Sequence, residues 1–338
     1  MEYNIKMQKE NILVDAFGRV AKKLRISVTD RCNFACIFCM PAQPVWIPKE
    51  EILTFEEIER LVRIFVKLGI EKIKLTGGEP LVRKDIEVLI KRISNIEGIK
   101  SISMTTNGYF LPEKAKILKE AGLDSCTISL HSLDKEKFNS VTGKDVYDRV
   151  LKGIQAALDA GFEKVKINTV IIRGYNENEI LDLVEFARNN KLILRFIEFM
   201  PFDGLHFWNL EKVVTGEEIL RVIKKKYEFE EIPREPGSTS QNYRFKDGKG
   251  EFGIITSISK PFCSDCDRIR LTADGKIVPC MFSKDEYDLK NPLRNGASDE
   301  ELMELIKAYY YRKFRGVEVL IKSRKLPSHI RPMHTIGG

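Results

Sequence analysis

The sequence predicts an α/β protein built around an incomplete (β/α)6 barrel of the TIM type, followed by a smaller C-terminal region. Between residues 24 and 200, six β-prone runs alternate with stretches of helical periodicity, and such alternation produces a parallel sheet with helical crossovers. Polar residues cluster directly after the strands, at the rim where barrels build active sites. An open doubly wound sheet is the alternative that the same alternation leaves.

The predicted elements follow one another in a regular order. The strands are predicted at residues 24–28, 72–76, 101–105, 125–130, 164–172 and 192–200. Apolar positions at helical spacing predict the intervening helices at residues 55–68, 84–96, 112–121, 146–160 and 177–189. Gly69, Gly122 and Gly161 stand where helices commonly end. Right-handed crossovers of this kind place consecutive strands side by side.

The regular pattern ends near residue 212. A helix is predicted at 215–227, short β segments at 242–246 and 251–257, and a helix at 298–312, before a basic and irregular tail. We therefore predict a barrel domain over residues 1–212 and a C-terminal region over residues 213–338, which packs against the open side of the barrel.

Composition narrows the class of protein. With 43% hydrophobic and 31% charged residues, the chain can bury a globular core. The net charge of +7 suits an anionic ligand but does not distinguish a nucleotide from a nucleic acid. The sequence has neither a signal-peptide pattern nor an apolar run near the ~20 residues of a membrane span. These features predict a cytoplasmic protein without a membrane partner.

Seven cysteines in such a chain argue against a disulfide framework. Cys126 stands alone in a predicted strand and is expected in the core. Three others, Cys32, Cys36 and Cys39, follow the first strand with C-x3-C-x2-C spacing. Three thiolates on one loop can hold three irons of a cubane cluster and leave the fourth iron open. A zinc knuckle or three unrelated buried thiols is the alternative.

The second strand is followed by TGGEP at residues 76–80. Glycines there let the backbone approach a ligand closely, and Glu79 can accept a hydrogen bond from an ammonium group. An ordinary turn between a strand and a helix is the alternative. In combination with the cysteine spacing, the motif resembles radical S-adenosylmethionine (SAM) enzymes, in which the open iron chelates SAM. By that resemblance, TGGEP contacts the SAM amino group.

The second cysteine group, Cys263, Cys266 and Cys280, has C-x2-C-x13-C spacing. None of the four histidines lies between these cysteines, and a zinc site and a second iron–sulfur cluster remain nearly equal alternatives on spacing alone. Arg268 and Arg270 alternate, so on an extended segment they point the same way and suit a polyphosphate. A solvated strand edge is the alternative for this pair.

Several segments together resemble the GTP 3′,8-cyclase family of radical SAM enzymes, which opens molybdenum-cofactor biosynthesis. They are LRISVTDRCNFACIFCM, LTGGEPLVRKD, TTNG, VKINTVIIRGYNENE, RFIEFMP, FCSDCDRIRLTADGKIVPC and the terminal IGG, and they run in order from about residue 15 to the end. The resemblance implies two [4Fe–4S] clusters, SAM as cofactor, and a lyase that cyclises GTP to (8S)-3′,8-cyclo-7,8-dihydroguanosine 5′-triphosphate.

The resemblance also assigns residues. It implies that each cysteine triad holds one cluster, with the open iron of the second cluster meeting the guanine. The implied SAM contacts are Phe38, Gly77, Gly78, Glu79, Ser129 and Met200. The implied GTP contacts are Arg25, Lys72, Lys74, Thr105, Lys166, Arg195, Arg268 and Arg270. Arg25 is also the expected catalytic residue, which the terminal Gly337 and Gly338 help to position.

Three positions depart from the family pattern, which often has Arg at Lys74, Tyr at Phe38 and an acidic residue at His131. Lysine keeps the charge at residue 74 but loses the bidentate fork of arginine. His131 is expected to be either a packing variant or a functional change.

The resemblance implies two partners, an electron donor and a downstream cyclic pyranopterin monophosphate synthase. It implies no nucleic-acid partner, and we expect a monomer or a homodimer. Two other functions are considered, a radical SAM enzyme that modifies a peptide and a zinc protein that binds nucleic acid. The former usually has more C-terminal cysteines, and the latter would show completed ligand sets and aromatic-rich basic strands.

Overall fold

The computed structural model describes residues 11–337, so the predicted role of Gly338 lies outside the described residues. In the described chain, twelve strands form one sheet in the order β12-β11-β10-β1-β2-β3-β4-β5-β6-β9-β8-β7. The central six strands are parallel and adjacent in chain order. The predicted α/β fold with a parallel six-stranded centre is therefore confirmed. These strands are β1 (Lys23–Ser27), β2 (Lys72–Thr76), β3 (Ser101–Thr106), β4 (Ser125–Ser129), β5 (Val165–Ile171) and β6 (Ile193–Glu198).

Helices connect the central strands as the periodicity predicted. They are α1 (Phe55–Lys67), α2 (Ile86–Ser94), α3 (Leu111–Glu120), α4 (Lys135–Thr142), α5 (Tyr147–Asp159) and α6 (Ile180–Asn189). Helix α4 was not predicted, because its sequence KEKFNSVT is short and mostly polar. Packing of Phe138 and Val141 and the Asp134 side-chain cap stabilise it. Thr54 caps α1 in a capping box with Glu57, which fixes where the first crossover helix begins.

The central sheet has two chemically different faces. Residues such as Leu24, Leu75 and Ile167 are fully buried beneath the helices and form the main core with Cys126, as expected for that thiol. Most alternate positions on the same strands are lysine, arginine, serine, threonine or asparagine. Because side chains alternate across a strand, these polar residues share the opposite face. We call that surface the polar face.

The C-terminal region extends the sheet at both edges. β9 (Glu251–Ile255) pairs in parallel with β6, and β10 (Arg268–Leu271) pairs in parallel with β1. Antiparallel strands complete each edge: β7 (Phe229–Ile232) and β8 (Gln241–Phe245) beyond β9, and β11 (Lys276–Val278) and β12 (Tyr287–Asp288) beyond β10. The remaining helices are α7 (Gly216–Lys224), α8 (Lys290–Arg294), α9 (Asp299–Tyr311) and α10 (Val317–Lys322). The boundary at residue 212 stays a prediction.

The segment 233–240 joins the two edges near the amino ends of the strands. It precedes β8, yet the carbonyl of Gly237 accepts hydrogen bonds from Lys23 Nζ at 2.8 Å and Arg268 Nη1 at 3.2 Å. Arg234 forms a two-pronged ion pair with Asp265 at 2.7 and 2.9 Å. The polar face is thus enclosed at this end by backbone and ion pairs. In the described part of the chain, no helix is long and apolar enough to cross a membrane.

Glu198, at the carboxyl end of β6, ties the C-terminal region to the barrel. Its fully buried carboxylate accepts hydrogen bonds from the backbone N–H groups of Gly216, Ile258 and Ser259, each at 2.8 Å, and from the Ser259 hydroxyl. Buried donors of this kind are costly to leave without an acceptor. The carboxylate therefore fixes the start of α7 and the loop after β9 together.

We expect Glu198→Ala to lower the free energy of unfolding by about 3 kcal/mol or more, because it leaves several buried N–H groups without an acceptor. Glu198→Gln, which retains one acceptor oxygen, should cost less. Urea unfolding of the full chain measures both values. Glu163→Ala at an exposed site is the control and should stay within about 0.5 kcal/mol of wild type. Equal stability of Glu198→Ala and the control would contradict this account.

Candidate active site

The first cysteine loop, residues 29–40, lies directly against the TGGEP loop. Gly78 N donates to Thr29 O at 2.7 Å, and Glu79 N donates to Arg31 O at 2.8 Å. A Cβ at Gly77 would overlap the carbonyl of Thr29, and one at Gly78 would overlap the carbonyls of Asp30 and Arg31. The two glycines are therefore required for backbone packing between the loops, in addition to the ligand approach that the sequence suggested.

These two loops and the carboxyl ends of neighbouring strands enclose one cavity. The predicted site residues that line it are Cys32, Cys36, Cys39, Phe38, Gly77, Gly78, Glu79, Thr105, Ser129 and Met200. Residues from β3, β4, β5 and β6 thus meet the cysteine loop at one end of the sheet, as expected for a parallel barrel. The tertiary fold brings together positions that are up to 168 residues apart in sequence (Cys32 to Met200).

Glu79 is a buried acid that lines this cavity. Its Oε1 accepts from Thr106 Oγ1 at 2.6 Å and from Leu81 N at 3.0 Å, and its Oε2 accepts from Asn107 N at 2.6 Å. Burial raises the pKa of Glu79 to about 7, although these three donors oppose the rise. The carboxylate is rigidly oriented, and a cationic ligand nearby would favour its charged form.

The first three thiols are free and largely enclosed. Burial raises the pKa of Cys32 and Cys39 to about 12, and burial with the two neighbouring thiols raises that of Cys36 as well. Thiolates here need a positive centre among them, which the irons of a cluster would provide. The donor set and its enclosure therefore fit a three-cysteine cluster. In residues 11–337, no three His, Cys, Asp or Glu side chains are placed to hold a metal ion directly.

The second triad lines a separate cavity with aromatic walls. Cys263, Cys266 and Cys280 lie there with Arg268 and Arg270. Burial raises the pKa of the first and third thiols. Burial also opposes ionisation of Cys266, yet neighbouring Arg268 and a buried lysine, Lys313, lower its pKa to about 7. This donor set also fits an iron–sulfur cluster.

A row of cations crosses the polar face between the two cavities. Arg25 on β1 is in register with Arg270 on β10 and with Lys74 on β2. Further along the sheet, Lys166 on β5 and Arg195 on β6 occupy the same face. Lys72, two residues before Lys74, lies toward the amino end of β2 and is exposed. The predicted GTP contacts therefore share one surface.

These cations have no carboxylate partners. Among the described residues, none of Arg25, Lys74, Lys166, Arg195, Arg268 and Arg270 forms a salt bridge, and the Nε of Arg195 is buried without a hydrogen-bond partner. Burial and the other cations lower the pKa of Lys74 and Arg25, and burial lowers that of Arg270 to about 10. Uncompensated buried charge is costly. The surface is suited to a polyanion.

The chain terminus reaches the middle of this row. The carbonyl oxygen of Gly337 accepts hydrogen bonds from Arg270 Nη1 at 2.6 Å and from Arg25 Nη1 at 3.3 Å. The residue has φ +77°, and an added Cβ would overlap Thr76 Oγ1. Glycine is required there on both grounds. The terminal segment thus contacts the predicted catalytic arginine directly.

Several residues of the site escaped the sequence analysis. Asn107 is the asparagine of TTNG, a motif that the sequence analysis quoted without giving this residue a role, and it donates to Asn33 Oδ1 at 2.8 Å, which braces the cysteine loop. Asn168 lines the first cavity, and its Oδ1 has no hydrogen-bond partner. Its place on the polar face, two residues after Lys166, was the available signal. Lys313 gave no signal, because it sits in a basic stretch that resembles a solvated surface.

His131, one of the departures, is a buried packing residue that also lines the first cavity. Its ring centroid lies 4.5 Å from that of Phe38, and its Nδ1 accepts from Val170 N at 3.2 Å. Burial lowers its pKa to about 3, so the ring is neutral at physiological pH. Phe38 and His131, two of the three positions that depart from the family pattern, therefore contact each other.

Comparison with known proteins agrees with this geometry. Residues 26–187 match the Radical SAM superfamily, and residues 192–319 match the Molybdenum Cofactor Synthesis C family. A GTP 3′,8-cyclase of Aquifex aeolicus is 50% identical over 83% of this chain and 88% of its own. The mitochondrial GTP 3′,8-cyclase of Arabidopsis thaliana is 43% identical over 97% of this chain and 84% of its own.

Longer relatives and solved structures extend the comparison. Human molybdenum cofactor biosynthesis protein 1 is 42% identical over 90% of this chain, which spans 48% of that protein. Streptococcus suis SuiB bound to S-adenosylmethionine is similar in fold, with a TM-score of 0.64 and 18% identity over 97% of this chain and 79% of that one. The two chains therefore share a fold.

Because a Cβ at Gly78 would overlap two carbonyls, we expect Gly78→Ala to separate the cysteine and TGGEP loops. The expected loss of stability is about 1–3 kcal/mol, the usual cost of overpacking. Thiol labelling of Cys32, Cys36 and Cys39 in reduced, metal-free protein should accelerate. Glu163→Ala, at an exposed site, should leave the labelling rate unchanged. Equal labelling rates in the two variants would refute the packing role.

Proposed function

The chain belongs to the GTP 3′,8-cyclase family of radical SAM enzymes, and we propose that its two cavities and the cations between them form one active site. It cyclises GTP to (8S)-3′,8-cyclo-7,8-dihydroguanosine 5′-triphosphate, the first step of molybdenum-cofactor biosynthesis, and its cofactors are SAM and iron–sulfur clusters. The row of cations without carboxylate partners is the observation that supports this use of the polar face.

The first cavity would hold a [4Fe–4S] cluster and SAM. Cys32, Cys36 and Cys39 supply three thiolates, which leaves one iron available to SAM. When bound, the cluster and SAM supply the one-electron chemistry that removes a hydrogen atom from an unactivated carbon.

The remaining SAM contacts follow from the lining of the first cavity. Glu79, oriented by its three donors, would accept from the SAM ammonium group across the glycine loop. Gly77 and Gly78 expose backbone on the same side, and Ser129, Met200 and Phe38 complete the lining.

The second cavity would hold the other cluster through Cys263, Cys266 and Cys280, facing the guanine. Arg268 is bound to this loop, with its Nη2 3.2 Å from Cys266 Sγ. The aromatic side chains of Phe262 and Phe282 line the same cavity and limit water access. This arrangement would hold the guanine base at the β10 edge of the sheet, whereas SAM would bind at the carboxyl ends of the central strands.

The triphosphate would lie on the cation row. Arg25, Lys74 and Arg270 are consecutive across three hydrogen-bonded strands, so their charges form a continuous surface. Lys166, Arg195, Lys72 and Arg268 extend it. Thr105, which lines the first cavity, would contact the ribose side. Burial and, after it, repulsion from neighbouring cations lower the pKa of Arg25 and Lys74, and a bound polyanion would relieve that repulsion.

Arg25 is proposed as the catalytic residue, and the terminal glycines as its positioning element. Its guanidinium donates to Gly337 O, and Gly337 in turn packs against Thr76, the first residue of TGGEP. The terminal segment would therefore set the direction of the guanidinium toward the substrate. Enclosure of the site by this segment and by residues 233–240 would exclude water from reactive species.

Further proposals concern classification and partners. The reaction would class the protein as a lyase, and a cytoplasmic electron donor would reduce its first cluster. A cyclic pyranopterin monophosphate synthase would consume the product. We also propose that the protein works in the cytoplasm as a monomer or homodimer, without a nucleic-acid partner.

The function is tested on protein purified without oxygen. We expect about eight irons per chain, and formation of 5′-deoxyadenosine and cyclised GTP when SAM, reductant and GTP are supplied. Cys39→Ala should lose about half the iron, whereas Cys126→Ala, in the core, should retain it. SAM cleavage that is indifferent to GTP but stimulated by a peptide would favour a peptide-modifying enzyme instead.

GTP affinity should fall as pH rises through about 8. Burial, Arg195 and Lys164 lower the pKa of Lys166 to about 8. An anion binds the charged lysine, so above this pH binding requires proton uptake and weakens by up to about tenfold per pH unit. Calorimetric titration of the cluster-loaded chain with GTP, without SAM, measures the effect.

Lys166→Arg is the matched variant, because its guanidinium stays charged throughout this range. It should remove this component of the pH dependence while retaining GTP binding. Any ionisation of GTP itself acts on both proteins equally. An identical decline of affinity with pH in the two proteins would exclude Lys166 from the phosphate surface.

A further inference from the structure

A buried lysine, Lys313, lies against the second cysteine group. It lies two residues after the last residue of α9, and only 2% of its surface is exposed. Its Nζ donates to Arg268 O at 2.7 Å, to Cys266 O at 3.0 Å and to Tyr310 Oη at 3.2 Å. The same nitrogen lies 3.4 Å from Cys266 Sγ. A lysine is rarely buried so completely without a carboxylate partner.

A second buried cation, Arg19, binds only backbone carbonyl oxygens of the same region. Arg19 donates to Cys263 O at 2.9 Å, to Arg315 O at 2.7 Å and to Phe314 O at 2.8 Å, and Asp15 neutralises it. Lys313 differs in two respects. It has no carboxylate partner among the described residues, and it reaches the sulfur of a cysteine as well as its carbonyl.

Cys266 is therefore the most positively surrounded thiol of its triad. Arg268 Nη2 and Lys313 Nζ approach its sulfur from two elements, β10 and the end of α9. For Cys263 and Cys280, the described donors near sulfur are backbone N–H groups. Hydrogen bonds to sulfur and local charge are among the factors that set the reduction potential of an iron–sulfur cluster.

We propose that Lys313 is a positioning residue for the second cluster, which holds Cys266 in place and stabilises the reduced state of that cluster. The inference rests on the proposed assignment of Cys263, Cys266 and Cys280. Reduction adds one electron and thus one negative charge to the cluster. A cation at the sulfur stabilises the more negative state, so the lysine raises the reduction potential of this cluster.

A purely structural role predicts a different outcome. If Lys313 only satisfied the carbonyls of Cys266 and Arg268, its replacement would reduce stability and cluster content but leave the potential of assembled clusters unchanged. The reduction potential therefore separates the two roles. Lys290 is a matched control. It is a buried lysine of the same C-terminal region, and its side chain pairs with Glu51 and not with a residue of this cysteine triad.

The test is an anaerobic redox titration of the cluster-loaded full chain, monitored by electron paramagnetic resonance. A mediated electrode supplies the electrons. The proteins are wild type, Lys313→Met, Lys313→Gln, Lys313→Arg and Lys290→Met. The first cluster, identified because added SAM changes its signal, is the internal reference. Iron content and thermal unfolding are measured on the same samples.

We expect the second cluster of Lys313→Met to be about tenfold harder to reduce, a shift of about 59 mV for one electron, with the first cluster unchanged. Lys313→Arg should lie near wild type, and Lys290→Met should match it. Lys313→Gln, which keeps donors without the charge, should also shift downward, and it carries the test if the methionine variant does not fold.

An unchanged potential in both neutral variants would overturn the inference and leave the proposed function intact. An equal shift of both clusters would also overturn it, since that result indicates a general effect on the protein. Iron for only one cluster in the wild-type chain would overturn the inference together with the proposed second site. The iron analysis thus distinguishes failure of the inference from failure of the proposed function.

Discussion

Several cations lie on one face of the parallel sheet and repel one another, and the structure of the rest of the site depends on this repulsion. Arg25, Lys74 and Arg270 occupy adjacent strands in register, and no described carboxylate pairs with them. Such a surface is unfavourable in an empty protein and favourable with a polyanion bound. Stability is therefore supplied elsewhere, by the apolar face and its covering helices, while the polar face is left available for the ligand.

The two ends of that surface are built differently. At the carboxyl end, two loops pack backbone against backbone, and glycine at residues 77 and 78 makes the approach possible. At the β10 edge, the second cysteine group is held by buried cations, Arg19 and Lys313, that bind its carbonyls. The carboxyl end is held by close backbone packing at two glycines. The β10 edge is held by charged side chains that donate to backbone carbonyl oxygens. Both solutions fix cysteines on irregular loops.

The C-terminal region extends the central sheet and adds a second cavity. Its strands lie at both edges of that sheet. Glu198 holds the start of α7 and the loop after β9, and the segment 233–240 contacts β1 and β10 at the other edge. The terminal segment then returns to Arg25 and Arg270 through Gly337. The predicted phosphate surface, the second cysteine group and Gly337 are thus in contact through Arg270.

By itself, the sequence determined the alternation of strands and helices, the two cysteine groups and the position of the glycine motif, because periodicity and spacing are local properties. It also indicated the cations one by one, without showing that Arg25, Lys74 and Arg270 are neighbours. Only the tertiary structure decided that register, the placement of β9 and β10 on opposite edges, and the burial of Lys313. These features depend on contacts between residues far apart in the chain, such as Lys313 with Cys266 and Gly337 with Arg25, and no local pattern encodes such contacts.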